Sequence, residues 1–92
     1  MMDPKLTRAQ ALIVEECDSL KALLLAKNAA YGNSALEPLR VFSKASPVEQ
    51  ILVRIDDKLS RLARGANAGE DVERDLAGYL VLLAVARRMA AP

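Results

Sequence analysis

The spacing of apolar residues along the chain predicts three helices, and the first of them occupies the N-terminal third. Apolar side chains recur at helical intervals from Leu6 to Leu24. Asp3 followed by Pro4 is typical of a helix start, because an Asp side chain caps the first turn and proline fits the first helical position. We therefore expect the first helix to span about residues 4 to 28.

The second helix has the clearest boundaries in the sequence. Ser46 is a suitable N-cap, Pro47 follows at the first helical position, and Glu49 stands where a capping box requires an acid. Gly65 provides the C-terminal stop. Between these limits one apolar face is predicted, formed by Val48, Ile51, Ile55, Leu59 and Leu62.

The remaining segments complete an all-α prediction. Residues 29–45 contain the turn sequence YGNS and a proline, which indicates an ordered loop with no more than one helical turn. A short connection at residues 66–69 precedes the third helix, expected from about Glu70 to Met89. No segment alternates polar and apolar residues as a strand does. Residues 1–92 are therefore expected to form one all-α domain, a bundle of three main helices.

The third helix predicts an oligomer. From Leu76 to Ala86 it carries no charge on any side, whereas a helix of a small monomeric bundle normally has a polar face. Burial by another subunit is the simplest explanation, so we expect a dimer or a larger homo-oligomer. The alternative is that the long loop covers this helix.

The amino-acid composition limits the kinds of function that the chain can have. Hydrophobic residues make up 52% and charged residues 27% of the 92 residues, which excludes intrinsic disorder. The 13 Lys and Arg nearly balance the 12 Asp and Glu, which gives a formal net charge of +1. We therefore expect no long-range electrostatic field strong enough to attract bulk nucleic acid or an anionic membrane. Absence of His removes the commonest catalytic base, and the single Cys17 excludes an internal disulfide. The short apolar runs and the lack of a secretory signal suggest a cytoplasmic protein.

One edge of the second helix gathers positive charge. Arg54, Lys58 and Arg61 lie together with Asp57 at spacings of three, four and seven residues. These residues could form a ladder of ion pairs in which Asp57 pairs with its neighbours. They could equally form a site for an anion or a phosphate beside the core.

Three further carboxylates, on the first and third helices, are predicted near the apolar faces. Asp71 and Asp75 lie one turn apart on the third helix, with Tyr79 a turn further on. This pair could share a divalent cation such as Mg²⁺, or Asp71 could simply be a helix-start acid. Asp75 is expected to meet Arg54 or Lys58 across the helix interface. Glu16 falls on the inward face of the first helix, where a buried carboxylate needs a cation, a metal ion or a proton.

Three blocks of sequence resemble a known family. The blocks are KNAAYGNS at 27–34, VRIDDKLSRL at 53–62 and EDVERDLAGY at 70–79. With these blocks the chain resembles, from about residue 15 to 88, the small phage and prophage proteins of the nucleotide-modification-associated, MazG-like group. The resemblance implies an all-α oligomer akin to MazG and dimeric dUTPase-type pyrophosphohydrolases, in which acids hold Mg²⁺ on a nucleoside triphosphate and basic residues contact the phosphates.

Matched position by position, the resemblance assigns roles to this chain. The acids would be Asp71, Asp75 and Asp57 as catalytic and metal-binding residues, with Glu16 as a further metal ligand. The nucleotide contacts would be Lys27, Asn28, Tyr31, Arg54, Lys58, Arg61 and Tyr79. This sequence departs from the catalytic enzymes, which carry Glu-x-x-Glu followed by Glu-x-x-Asp, because its second helix offers Arg54-x-x-Asp57 instead.

Three functions therefore remain open. The first is Mg²⁺-dependent hydrolysis of a nucleoside triphosphate to monophosphate and pyrophosphate. The second is non-catalytic binding of a nucleotide, such as a cyclic dinucleotide signal of host anti-phage defence, which the protein would sequester. The third is a helical interaction module in which the charges only form salt bridges.

Overall fold

The chain folds into three helices, as the apolar pattern predicts. The computed structural model describes residues 5–65, 69 and 71–92. It contains α1 (Arg8–Tyr31), α2 (Pro47–Arg64) and α3 (Val72–Ala90). None of the described residues is in a strand, so the all-α fold class is confirmed.

The boundaries of α2 are those that the sequence predicts. The Ser46 hydroxyl accepts a hydrogen bond from the backbone N–H of Glu49 at 3.1 Å, and Pro47 is the first helical residue. At the other end Gly65 has a φ of 67°, in the left-handed region that glycine adopts without strain. Its N–H donates to the carbonyls of Arg61 and Leu62, which closes the helix.

The predicted start of α1 is wrong. The expected cap at Asp3 and Pro4 lies outside the described residues, and residues 5–7 are not helical. The helix begins at Arg8 because Thr7 and Gln10 form a reciprocal capping box, which satisfies two backbone N–H groups at once. It ends at Tyr31, three residues later than predicted, where Gly32 turns into the left-handed region with a φ of 62°.

The loop between α1 and α2 contributes one residue to the core. A tight turn at residues 32–36 brings Leu36 against Ile51, Ile55, Leu83 and Ala86. Most of the rest of the loop is exposed to solvent, with Leu39 90% and Phe42 98% exposed. The loop contains one hydrogen-bonded turn, in which the Glu37 N–H donates to the Asn33 carbonyl at 2.9 Å, as the sequence predicts. Several apolar residues of α3 stay exposed (Leu80, Val81, Val85 and Met89), so the loop does not cover this helix.

The central element of the fold is α3. It packs along α2 in the antiparallel sense, because Arg54 contacts Tyr79 and Lys58 contacts Asp75. On its other side α1 approaches through Gly78, where an added Cβ would lie 3.2 Å from Leu24 Cδ2. The three helices therefore form an open layer with α3 in the middle. No helix of the described residues has the length and apolarity needed to cross a membrane.

Candidate functional site

A cavity of about 330 Å³ lies where the three helices meet the turn after α1. Its walls are the C-terminal half of α1, residues 33–35, Arg54 of α2 and the first half of α3. Leucine side chains form much of its apolar surface, and polar groups converge on it from each element: Lys27, Asn28, Tyr31, Asn33, Ser34, Arg54, Arg74, Asp75 and Tyr79. Apolar walls with a few convergent polar groups are typical of small-molecule sites.

The end of α1 and the following turn position the first group of polar residues. Lys27 and Tyr31 lie one turn apart on the same face of the helix and both border the cavity. The Asn28 side-chain amide donates to Asn33 Oδ1 at 2.6 Å. Asn33 has a φ of 64°, a left-handed conformation that Asn tolerates better than most residues. This bond therefore fixes both the turn and the orientation of Asn28.

The opposite wall combines an arginine and a tyrosine. The Arg54 guanidinium donates to the Tyr79 hydroxyl at 3.4 Å, and its Cζ lies 5.9 Å from the centroid of that ring. A neutral hydroxyl leaves the positive charge uncompensated. The Tyr79 hydroxyl thus holds the Arg54 side chain at the cavity. An anion could bind the guanidinium beside this hydroxyl or in its place.

Asp75 is the carboxylate of the cavity, and it is already paired. Lys58 Nζ lies 3.5 Å from Asp75 Oδ2, and the two side chains are 13% and 28% exposed. The predicted contact across the helix interface is confirmed, with Lys58 as the partner. This partial burial strengthens the ion pair relative to one on the open surface.

The cavity therefore has a positive electrostatic balance. Among the described residues it is bordered by Lys27, Arg54 and Arg74, against one carboxylate, that of Asp75. Within the described residues neither Lys27 nor Arg54 forms an ion pair, and Arg74 meets the exposed Glu16 only at 4.0 Å. Such a set favours an anionic ligand, and arginine in particular suits a phosphate because its planar fork donates two parallel hydrogen bonds.

Five of the predicted site residues lie outside the cavity lining: Glu16, Asp57, Lys58, Arg61 and Asp71. Arg61 Nε lies 3.2 Å from Asp57 Oδ2 in an i,i+4 pair, so the ladder interpretation applies to these two. Lys58 faces Asp75. Asp71 is the N-cap of α3, where its Oδ1 accepts from the Arg74 N–H at 3.0 Å, as the helix-start interpretation expects.

The expectation for Glu16 is wrong. Its side chain is 81% exposed, so the carboxylate is not buried and needs no metal ion or proton. The helical wheel placed Glu16 inward because it assumed that α1 has one buried face. In the structure α1 meets α3 through a narrow contact near Leu24, which leaves most of the helix in solvent.

The carboxylates predicted to hold Mg²⁺ do not assemble within one chain. Among the described residues no group of three or more Asp, Glu or Cys side chains could bind a metal ion. Asp71 caps a helix and Asp75 pairs with Lys58, so both carboxylates already have partners. The described carboxylates of a single chain therefore do not fit a magnesium centre.

Arg74 is a cavity residue that the sequence reasoning missed. Its guanidinium donates to the Ser19 hydroxyl at 2.7 Å and so joins α3 to α1 at the cavity edge. A usable signal existed, because Arg74 lies four residues before Gly78 and on the same face of α3. The glycine marks where another helix comes close, and a charge one turn away points to the same contact.

Comparison with known proteins adds no family assignment. No protein-family model matches the chain, and no curated protein or solved structure is significantly similar to it. The resemblance to the MazG-like group stays a prediction that rests on the three sequence blocks.

Proposed function

We propose that this protein binds a nucleotide in the cavity between α1, α2 and α3, and that binding rather than turnover is its function. The observation that carries this proposal is the uncompensated positive charge of Lys27 and Arg54 beside an apolar cavity with two tyrosines. A nucleotide has the matching chemistry, with anionic phosphates and a flat base. The MazG-like resemblance of the sequence supports the same ligand class.

The positions of the cavity residues suggest which part of the nucleotide each of them would contact. Arg54, Lys27 and Arg74 would bind the phosphates through charge-assisted hydrogen bonds. Tyr31 and Tyr79 provide ring faces on which a base can stack, a contact that tolerates any base. Asn28, held in place by Asn33, would donate to or accept from the base or the sugar.

Binding is favoured over hydrolysis by the way the acids are used. A Mg²⁺-dependent pyrophosphohydrolase needs several carboxylates free to hold metal ions, and here Asp71 and Asp75 already have partners. A protein that retains an intact nucleotide could sequester a signal such as a cyclic dinucleotide. We further propose, from the resemblance, that the protein is a cytoplasmic homo-oligomer of phage or prophage origin.

The proposal is tested by thermal unfolding in the presence of nucleotides. A panel of nucleoside triphosphates and cyclic dinucleotides is added to the pure protein, with and without Mg²⁺. A ligand at about 100 times its Kd stabilises the folded state by about 2.7 kcal/mol, which raises the Tm by about 10 °C or more for a domain of this size.

Arg54→Ala identifies the site, with Arg64→Ala on the same helix as the matched control. Loss of a hydrogen bond to a charged group costs about 1.5–3 kcal/mol, so Arg54→Ala should weaken binding about tenfold to a hundredfold. Arg64 is exposed and outside the cavity, so its replacement should leave the affinity unchanged. Equal affinities for the two variants would refute the cavity assignment.

A further inference from the structure

The cavity between α1, α2 and α3 is bordered by a cationic side chain from each helix. These are Lys27 of α1, Arg54 of α2 and Arg74 of α3. Within the described residues Lys27 and Arg54 form no ion pair, and Arg54 donates instead to the neutral hydroxyl of Tyr79. Two positive charges are therefore available to an anionic ligand.

The side-chain oxygens that border the cavity are less available. Asp75 supplies a carboxylate to the lining, and its Oδ2 lies 3.5 Å from Lys58 Nζ. Asn33 Oδ1 accepts a hydrogen bond from the Asn28 side-chain amide at 2.6 Å. Proteins hold Mg²⁺ through one or two carboxylates together with the phosphates of the substrate, and the ion keeps several waters. The cavity lining thus offers cationic donors to a phosphate but, in the part of the chain that the structure describes, no carboxylate without a partner.

We infer that the cavity binds the metal-free form of a nucleotide, and that Mg²⁺ competes with the protein for the phosphates of a nucleoside diphosphate. The inference rests on the proposed nucleotide function and specifies the charge state in which the ligand is bound. A terminal phosphate carries a charge of about −1.5 to −2 at pH 7. The two cations without an ion pair, Lys27 and Arg54, together compensate that charge.

Mg²⁺ weakens both attractions that the cavity offers to a phosphate. Its positive charge cancels the negative charge that draws the ligand towards Lys27 and Arg54. It also coordinates phosphate oxygens that an arginine otherwise uses for two parallel hydrogen bonds. A centre built from free carboxylates responds in the opposite way, because the metal ion there bridges the acids and the phosphates. The sign of the Mg²⁺ effect on affinity therefore distinguishes the two kinds of site.

The test measures the Kd of the four common ribonucleoside diphosphates for the full chain by calorimetric titration, at increasing Mg²⁺ concentration. Ionic strength is kept constant, because salt alone screens the attraction between exposed charges. Where Mg²⁺ leaves a tenth of the diphosphate free of metal, the apparent Kd should be about tenfold higher than without Mg²⁺. The matching nucleoside monophosphates are the control ligands. A single phosphate chelates Mg²⁺ weakly, so their Kd should change much less.

Asp75→Asn tests the inference through the protein instead of the metal. The change removes a negative charge from the cavity lining, so the metal-free diphosphate should bind at least as tightly as it binds to the wild type. If Asp75 held Mg²⁺ on the ligand, the variant would instead lose affinity for the Mg²⁺ complex. Asp56→Asn is the matched control, since Asp56 is exposed on α2 and lies outside the cavity lining, and it should keep the wild-type Kd.

The titration of the wild-type protein decides the matter if Asp75→Asn does not fold. A diphosphate that binds with an equal or lower Kd in Mg²⁺ would overturn the inference and leave the proposed nucleotide binding in place. Binding of no diphosphate, with or without Mg²⁺, would overturn the inference as well. The proposed function itself fails only if the thermal unfolding panel also shows no nucleotide that stabilises the protein.

Discussion

Gly78→Ala tests how firmly α1 is held on α3. Gly78 is buried in the interior of α3, where glycine costs about 0.8–1.0 kcal/mol relative to alanine. The added Cβ would lie 3.2 Å from Leu24 Cδ2, closer than ordinary van der Waals contact. The sign of the effect depends on whether the leucine can move by a few tenths of an ångström.

The surroundings of Leu24 indicate that it can move. The atom in question is the tip of a flexible side chain, Leu24 is only half-buried, and it borders the cavity of about 330 Å³. We therefore expect most of the helix-propensity gain to be kept, with a net stabilisation of about 0.5–1 kcal/mol. For a domain of this size that raises the Tm by about 2–8 °C.

Thermal unfolding by circular dichroism at one fixed protein concentration is the assay, and Leu24→Ala supplies the control background. Without the leucine tip, Gly78→Ala should give the full gain of about 1 kcal/mol, and the difference between backgrounds isolates the contact. A lower Tm for Gly78→Ala in the wild-type background, with a gain in the Leu24→Ala background, would refute the reasoning. It would mean that α1 is fixed on α3 by a rigid contact.

Two further substitutions, each with a control, test the N-cap of α2 and the ion pair between α2 and α3. Ser46→Ala removes the N-cap of α2 and should lower the free energy of unfolding, measured in urea, by about 1 kcal/mol. The control Ser60→Ala, at an exposed position within the same helix, should not lower it. Equal losses for the two variants would contradict the capping role of Ser46. Asp75→Asn breaks the half-buried pair with Lys58 and should cost about 1–2 kcal/mol. The control Asp57→Asn removes an exposed i,i+4 ion pair with Arg61 and should lower the free energy of unfolding by less than about 0.5 kcal/mol. A loss as large as that of Asp75→Asn would show that burial does not strengthen the Asp75–Lys58 pair.

The predictions that the structure confirms depend on local chemistry or on a single helix interface. Both ends of α2 were predictable because Ser46 and Gly65 act within one turn of their own helix. The contact of Asp75 with Lys58 followed from two helical wheels, since each residue lies beside an apolar stripe and the two stripes must face each other. Arguments of this kind need no knowledge of the tertiary arrangement.

The two wrong predictions for α1, its start and the burial of Glu16, have different physical causes. Two N-terminal capping signals occur within the first ten residues, and sequence alone does not rank Asp3 against Thr7. The wheel of α1 has apolar residues on every side, so it defines no inward face, and the position of Glu16 could not be derived from it.

Most residues of the candidate site could be predicted from the sequence, but how far the site extends along α2 could not. The cavity gathers the α1 residues Lys27, Asn28 and Tyr31 with Arg54 and Tyr79, all of which the sequence reasoning selected. Arg61 was also selected, because it shares an edge of α2 with Arg54. Seven residues along a helix correspond to about 10 Å, however, which takes Arg61 beyond the cavity, and only the crossing of the helices sets that limit.

The most direct test of nucleotide binding follows the fate of the ligand. The pure protein is incubated with nucleoside triphosphates and cyclic dinucleotides, with and without Mg²⁺, and separated from free ligand by ultrafiltration. After denaturation the released compounds are identified by chromatography. The account predicts that one nucleotide is retained and returned intact, and that Arg54→Ala retains far less of it. Retention of no nucleotide, or the appearance of monophosphate and pyrophosphate only with Mg²⁺, would contradict it.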